Sequence, residues 1–254
     1  MLNPADLLCL RELSLFQAAR ADTFALLARN ATTVTCPRGA QLVVEGQADD
    51  HLHVLLDGVV ELGSCWSDRD TTLALLRPPA VFALASVVLG VSALTSARTL
   101  TRSRLLRIPG SDLRQAMRSD IGLCVAITEE VSGCYCGVVR TLKAYKLRGA
   151  IERLANYLLS QHRQRGDGPT LRLPCAKRTL ASLLGMTPEN LSRAFASLAE
   201  YGVKVDGPNI TLSRPEALID LAKPNSLIDN HSVSSPRLGQ ADRERRRGGR
   251  HLAS

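Results

Sequence analysis

The sequence lacks an uninterrupted apolar run of the ~18–20 residues that a helix needs to cross a bilayer. Its N-terminus also lacks a basic start followed by an apolar run and a small-residue cleavage site. These two absences predict a soluble, cytoplasmic protein with no membrane partner. The chain has 254 residues, 45% of them hydrophobic, which excludes global disorder and fits one large domain or two smaller ones.

Patterns typical of an enzyme are missing as well. The sequence contains no nucleophile–base pattern, no glycine loop for phosphates and no His/Cys cluster with metal-ligand spacing. We therefore predict that the protein is not an enzyme; an active site assembled from distant residues is the alternative. The seven cysteines are an odd number and irregularly spaced, so we expect thiols rather than a disulfide framework.

Basic residues are in excess, and they are unevenly distributed. Residues 1–139 hold 12 Lys and Arg against 14 Asp and Glu, whereas residues 140–200 hold 11 against 4. Residues 223–254 hold 7 against 3 with almost no large apolar side chains, which predicts a disordered basic tail. The tail either is merely solvated or adds nonspecific attraction to phosphates, so the segment 140–200 is the more informative candidate for contact with a polyanion.

From about Thr32 to Pro109, short β-type runs alternate with Gly and Pro turn signals. This spacing predicts an antiparallel roll or barrel, with helices before and after it. The predicted strands are Gln41–Glu45, His51–Asp57, Val59–Leu62, Thr71–Leu76 and Thr99–Ile108.

From Ser119 to about Lys146 the hydrophobic period becomes helical, with two apolar stripes side by side. The first alternates in steps of four and three, the spacing of a coiled-coil seam: Ile121, Val125, Thr128, Ser132, Tyr135, Val139 and Leu142. The second consists of Cys124, Ile127, Val131, Cys134 and Val138. We predict that one stripe packs on the roll and the other on the same helix of a second subunit, forming a two-fold dimer. A helix buried wholly within one subunit is the alternative.

Residues 150–222 predict a compact, mostly helical module. Lys177–Leu184 has the pattern of a short helix that Gly185 ends in the left-handed conformation. A second helix begins at Thr187 and Pro188, which suit its N-cap and first turn, and runs to about Glu200. Two β-type runs flank residues 206–209 and predict a hairpin, the wing of a winged helix-turn-helix.

The second helix carries a polar face that can read DNA. Glu189, Ser192 and Arg193 lie opposite its apolar side, beginning at the helix N-terminus that reaches base edges in helix-turn-helix proteins. Arg193 can donate twice to a guanine, Glu189 can accept from a cytosine amino group, and Ser192 can bind a base or a phosphate.

Phosphate contacts are predicted around this face. Thr187 lies at the helix start, and Lys177 and Arg178, with Arg172 nearby, can neutralise backbone phosphates. An αα-hairpin with a charged solvent face has the same local pattern and is the alternative.

Two stretches resemble the Crp/Fnr transcription regulators, a match that covers roughly residues 10–222. Residues 36–47 and 54–62 are similar to the family's Pro-x-Gly, Glu-Gly and Gly-x-Val marks in the roll. Residues 173–193 end in Glu-x-x-Ser-Arg, which resembles the reading helix of the Fnr, FixK and Dnr branches.

The resemblance implies an α+β fold in four parts. These are a β-roll sensor resembling the cyclic-nucleotide-binding jelly roll with flanking helices over residues 1–118, a long dimerisation helix over 119–147, a winged helix-turn-helix over 148–222 and the tail over 223–254. It further implies a homodimer that reads an Fnr-like TTGAT-N4-ATCAA palindrome in double-stranded DNA, with RNA polymerase as a further partner and low oxygen or nitrogen oxides as the signal. A small-molecule-binding roll whose C-terminal module contacts protein is the alternative.

The effector pocket departs from the family pattern. Its cyclic-nucleotide binders hold the ligand with a Gly-Glu-Leu turn and an Arg-Ser-Ala run. Alignment on Phe82 places Leu84-Ala85-Ser86 and Thr95-Ser96-Ala97 there, so the Glu and the Arg are both missing. Because a buried phosphate without a cation is very costly, cyclic AMP is not expected, and the candidate pocket of Phe82, Leu84, Ala85, Thr95 and Ser96 has no assigned ligand.

An iron–sulfur cluster is also not expected. Family members that sense oxygen hold the cluster with closely spaced N-terminal cysteines, whereas only Cys9 lies near this N-terminus and Cys36 and Cys65 are isolated.

Two sensor hypotheses remain. By resemblance to Dnr-type regulators, haem could occupy an apolar pocket lined by residues 82–89 and 93–94, with His51 or His53 on the iron; alternatively this run is roll core and the histidines lie on a strand rim. A thiol switch could operate at Cys175, two residues before Lys177, where positive charge favours thiolate; alternatively Cys175 is a small buried hydrophobe.

Overall fold

The structure, a computed structural model, describes residues 2–67, 69–165 and 168–229. These residues fall into two compact units. The first comprises the described residues of Met1–Gly63 and Leu75–Tyr135, and the second those of Ser64–Ala74 and Cys136–His231.

Both units contain helices and strands. The helices are α1 (Pro4–Glu12), α2 (Ser14–Gln17), α3 (Ala21–Asn30), α4 (Leu84–Leu89), α5 (Gly110–Ser119), α6 (Ile121–Leu147), α7 (Ala150–Arg165), α8 (Lys177–Leu183), α9 (Pro188–Leu198), α10 (Pro215–Ala222) and α11 (Ser226–Asp229). The strands are β1 (Thr32–Cys36), β2 (Gln41–Val43), β3 (His51–Asp57), β4 (Val60–Trp66), β5 (Arg69–Leu76), β6 (Ala80–Phe82), β7 (Ser96–Thr99), β8 (Ser103–Pro109), β9 (Thr170–Arg172), β10 (Val203–Asp206) and β11 (Asn209–Leu212).

The antiparallel roll predicted from the sequence is confirmed. One sheet has the strand order β1-β8-β3-β6 and the other β2-β7-β4-β5. In β3, Leu52, Val54 and Leu55 are fully buried, because this strand lies between β8 and β6 and is covered on both faces. The run after Phe82, for which a pocket lining and roll core were the two alternatives, forms α4, whose Leu84 and Val87 join the hydrophobic core.

Helix α6 is a single 27-residue helix that leaves the first stripe uncovered in one chain. Ile121 is 82% exposed and Tyr135 is 69% exposed, which is the exposure expected in a single chain if this stripe packs against a second helix. By length and composition, α6 is also the one helix among the described residues that could cross a membrane, although Glu129 and Glu130 lie near its middle.

The second stripe of α6 is confirmed in part. Ile127 and Val131 pack on the core with Leu123 and Ala126, whereas Cys124 is half-buried and Cys134 and Val138 are exposed, so the buried face is rotated from the predicted stripe. The helix start fixes this phase. The buried carboxylate of Asp120 accepts the backbone N–H groups of Arg20 (2.8 Å) and Leu123 (3.1 Å), so the rotation of α6 is set before the stripe begins. Gly122 then lies so close to Ala18 that a Cβ would be 2.2 Å from its carbonyl oxygen.

The DNA-binding module predicted over 148–222 has its own core. Leu154, Leu158, Leu180, Leu191 and Leu198 meet in one buried cluster with residues of the small sheet β10-β11-β9. Strands β10 and β11 pair in the predicted hairpin, with Gly207 in the left-handed conformation at its turn (φ +56°).

The disordered tail was predicted to begin at residue 223, but residues 223–229 have a defined structure. Residues 223–229 form a left-handed cap at Lys223 followed by α11, which folds back onto the connector between α6 and α7. The prediction missed this because the segment is polar, and its main stabilising contact is an ion pair with a residue 81 positions earlier in the chain. The remainder of the predicted tail, 230–254, lies outside the described residues.

Candidate nucleic-acid interface

The turn between α8 and α9 follows the predicted chemistry. Gly185 is left-handed (φ +62°), and a Cβ at this position would meet the Tyr145 ring at 3.2 Å. Thr187 is the N-cap of α9, because its hydroxyl accepts the backbone N–H of Asn190 at 3.2 Å. Pro188 occupies the first helical position, where its missing N–H costs no hydrogen bond.

The two faces of α9 are those predicted. Leu191, Ala194, Phe195 and Leu198 are buried, and the residues on the opposite face, Glu189, Ser192, Arg193 and Ala196, are exposed. The helix therefore presents an acceptor, a hydroxyl and a guanidinium to solvent from its first two turns.

The charge state of this face is set locally. The pKa of Glu189 is lowered by hydrogen bonds from its own backbone N–H and from the Thr187 hydroxyl, and also by the nearby charge of Arg193. Glu189 is therefore ionised at neutral pH and accepts hydrogen bonds only, which is the state required to bind a cytosine amino group. Ser192 donates its hydroxyl to the Pro188 carbonyl at 3.0 Å and keeps its lone pairs for a donor.

Cationic side chains are exposed on neighbouring elements of the same module. Lys177 and Arg178 are exposed in the first turn of α8, and Arg172 is exposed on β9. The Lys177 ammonium lies 5.8 Å from the centre of the Phe195 ring, a cation–π distance that holds it beside α9.

Sequence reasoning missed one cation, Lys204. It lines a cleft of about 540 Å³ between α9 and β10, together with Lys177, Ser192, Phe195, Ala196, Ala199, Val203 and Val205. The signal was present in the sequence, since Lys204 alternates with two apolar residues on the wing strand and so must face outward.

Arg153 was also missed, and it joins the helix-turn-helix to the end of α6. Its guanidinium donates to the carbonyls of Arg148 (2.7 Å), Leu184 (2.9 Å) and Gly185 (3.3 Å). It also lies 5.7 Å from the ring of Tyr145, whose hydroxyl donates to the Leu183 carbonyl at 2.7 Å. One side chain thereby satisfies two carbonyls that follow α8 and one carbonyl of the connector.

The candidate effector residues of the roll do not share one environment. Phe82 and Leu84 are buried in core clusters, Ala85 is exposed, and Thr95 and Ser96 are half-buried. The Ser96 hydroxyl accepts the Glu45 backbone N–H at 3.0 Å, so it closes a turn of the roll.

Strand β7 does not supply a cation for a bound phosphate. Its one basic residue, Arg98, donates to the buried carboxylate of Glu61 at 2.9 Å, and half of the Arg98 side chain faces solvent.

The two candidate haem ligands belong to a polar cluster. His53 is buried, its Nε2 lies 2.7 Å from an Asp49 oxygen, and its ring stacks on Phe82 with centroids 4.8 Å apart. His51 places its Nδ1 3.1 Å from both Asp49 and Arg107. Although partial burial opposes it, hydrogen bonds and charge from the two histidines lower the pKa of Asp49. Iron at Nε2 of His53 would have to displace Asp49, so His53 in this arrangement does not fit a haem ligand.

The thiol and metal candidates are dispersed. Cys175 is half-buried against the core of the DNA-binding module. Cys9 and Cys65 are exposed, and Cys36 is half-buried on β1. Within the part of the chain that the structure describes, no group of three or more His, Cys, Asp or Glu side chains could hold a metal ion.

An antiparallel roll, a long helix with an open seam and a winged helix-turn-helix with an exposed reading face define a DNA-binding protein with a sensor domain. Residues 33–120 match the family described as a cyclic nucleotide-binding domain, and residues 152–221 match the Crp-like helix-turn-helix domain. The chain belongs to the Crp/Fnr family of DNA-binding transcription regulators.

Relatives and solved structures agree with this assignment. The CRP-like cAMP-activated global transcriptional regulator of Mycobacterium tuberculosis is 26% identical over 219 residues, covering 82% of this chain and 96% of the relative. The nitrogen fixation regulation protein FixK of Rhizobium meliloti is 24% identical over 189 residues, covering 72% and 83%. The structure of FixK2 from Bradyrhizobium japonicum shares the fold, with a TM-score of 0.69, 23% identity and coverage of 77% of this chain and 98% of that one. Members of this family bind DNA and act as dimers, and these relatives are regulators rather than enzymes.

Proposed function

We propose that this protein is a homodimeric, cytoplasmic transcription regulator that reads an Fnr-like palindrome, TTGAT-N4-ATCAA, and acts with RNA polymerase. The observation that carries the proposal is the exposed face of α9, where Glu189, Ser192 and Arg193 follow a capped N-terminus. This face offers an acceptor and a bidentate donor at the spacing that discriminates C·G base pairs in the major groove.

The dimer follows from α6. Its seam exposes Ile121, Val125, Tyr135 and Leu142 in a single chain, a stripe that an identical helix covers by two-fold symmetry. Polar Thr128 and Ser132 are also exposed on this stripe and suit a register-setting position better than a monomer core.

A salt titration of DNA binding tests the proposal. Fluorescence anisotropy should give a tighter Kd for the palindrome than for scrambled DNA of the same composition, with a linear fall of log K against log salt. Equal affinity for both duplexes at moderate salt would exclude sequence-specific regulation and favour a C-terminal module that contacts protein.

For the signal, we propose a redox, oxygen or nitric oxide input rather than cyclic AMP. The residues that support this are Ala85 and Thr95, which replace the acid and the cation of the cyclic-nucleotide pocket. One relative carries cAMP activation in its name, so titration of the protein with cAMP is the direct comparison. A thermal shift on adding cAMP, scaled by its concentration, would contradict the proposal.

The absorption spectrum of protein purified without oxygen separates the remaining inputs. A Soret band would assign haem, for which His51 offers its Nε2. A broad visible band would assign an iron–sulfur cluster. A featureless spectrum, together with loss of DNA binding on oxidation that Cys175→Ser prevents, would assign the thiol switch.

A further inference from the structure

A buried ion pair closes the connector between the dimer helix and the DNA-binding module. The guanidinium of Arg148, just after α6, binds both carboxylate oxygens of Asp229, at 2.6 Å each. The two side chains are only 8% and 10% exposed. The hydrogen bond to Asp229 raises the pKa of Arg148 above its ordinary value, so the guanidinium is charged at neutral pH.

Hydrogen bonds within residues 225–229 hold the Asp229 carboxylate in place. The backbone N–H of Asn225 donates to Asp229 at 2.7 Å, and the Asn225 side chain accepts the N–H of Leu227 at 2.8 Å. At the last residue of α10, the Ala222 carbonyl accepts a hydrogen bond from Asn156 of α7 at 2.6 Å. The chain after α10 is therefore fastened at two points, to α7 and to the connector.

The connector is fastened on its other side as well. Arg153 binds the Arg148 carbonyl and the carbonyls of the helix-turn-helix turn, and Tyr145 binds the Leu183 carbonyl. The backbone of Arg148 is thus tied to the helix-turn-helix, while its side chain is tied to the C-terminal segment.

We propose that Asp229 is a positioning residue for DNA binding, which fixes the angle at the Arg148 connector and thereby the half-site spacing that the dimer accepts. The inference rests on the proposed recognition of a palindrome by a dimer. A bidentate Arg–carboxylate pair resists rotation in a way that a single hydrogen bond does not. For a module of this size, a rotation of about 10° moves a point about 20 Å away by about 3.4 Å, the rise of one base pair.

The experiment compares spacings with full-length protein. Duplexes carry the two half-sites separated by N3, N4 or N5, or one half-site with the other scrambled. Wild type should prefer N4 over N3 and N5 by about 100-fold, because one base pair changes both the separation and the rotational phase of the half-sites. Asp229→Asn should reduce this preference to about 10-fold or less and leave affinity for the single half-site within about 2-fold. Asp220→Asn, which removes the same charge from an exposed position on α10, should behave as wild type.

The outcomes separate the two proposals. Wild type that binds N4 and scrambled DNA equally overturns the proposed function itself. Wild type that prefers N4 while Asp229→Asn keeps the full spacing preference overturns only the positioning role, as does wild type that accepts all three spacings. Loss of single half-site binding in Asp229→Asn would show that the ion pair maintains the fold of the module, which also contradicts a positioning role.

Discussion

The DNA-binding module and the β-roll both have the architecture of the family, but they differ in how closely the fold and the candidate functional residues are linked. In the module, the residues that form the turn and cap are adjacent to those of the proposed reading face, so fold and proposed function are specified together. In the roll, both sheets form although the family resemblance predicts Ala85 and Thr95 where cyclic-nucleotide binders carry charge. The fold of the roll therefore does not by itself specify a ligand, whereas the fold of the module carries the proposed reading face.

The largest effect is expected from a variant that destabilises the DNA-binding module without affecting the roll. Leu198→Ala removes a fully buried side chain from the core of the module and should destabilise it by about 2–5 kcal/mol. Hydrogen exchange followed by mass spectrometry should show faster exchange in α7–α10 and unchanged exchange in β3 and β8. Equal acceleration in both regions would show that they unfold as one unit.

A second variant sharpens the assignment of the reading face. Arg193→Ala should weaken binding to the palindrome by about 1–3 kcal/mol per half-site while leaving scrambled DNA almost unaffected, since its bidentate contact is specific to a base. Lys177→Ala is the matched control and should weaken both duplexes alike and reduce the salt slope by about 1 per half-site. The opposite pattern in anisotropy titrations would exchange the two roles.

A smaller effect is expected at the helix cap. Thr187→Ala should destabilise the module by about 1 kcal/mol, because the N–H of Asn190 loses its acceptor and α9 frays where it carries Glu189. Thr187→Ser should retain most of the stability in thermal unfolding. Equal losses in both variants would indicate that the methyl group, rather than the hydroxyl, matters.

The smallest effect concerns the roll and depends on pH. The pKa of Asp49 is lower in the folded protein than in the unfolded chain, so its ionised form stabilises the fold above pH ~3.9 and this stability is lost as the pH falls through the folded pKa. Because the carboxylate is partly solvated, we expect less than about 1 kcal/mol. Asp49→Asn should flatten the acid limb of the roll's unfolding profile, measured by urea titration between pH 3 and pH 6. An unchanged limb would assign it to other carboxylates.

Local signals explain what could be predicted. Gly185, Thr187 and Pro188 each act through their own backbone, so the start and end of α8 and α9 follow from the sequence alone. The apolar run of β3 and the alternating residues of the wing likewise place these strands. The open face of α9 follows from its period, because a helix that buries Leu191 and Leu198 must expose Arg193.

Features that depend on distant contacts could not be predicted. The phase of the second α6 stripe depends on how closely Gly122 approaches Ala18, which no periodicity reveals. Arg153 and Asp229 look like ordinary surface charges until the fold brings carbonyls or a guanidinium to them. In the roll, the pairing of His53 with Asp49 is only four residues apart, yet it depends on the path of the chain before β3.

The unbroken course of α6 limits how the length of this protein can change in evolution. Residues up to Tyr135 belong to one compact unit and those from Cys136 to the other, with no break in the helix between them. Insertion of a single residue would turn everything that follows by about 100°, separating Ile121 and Leu142 onto different sides of the seam. Insertions of about seven or about eleven residues restore the seam to within about 20°, so homologues that differ in the length of this helix should differ by such steps.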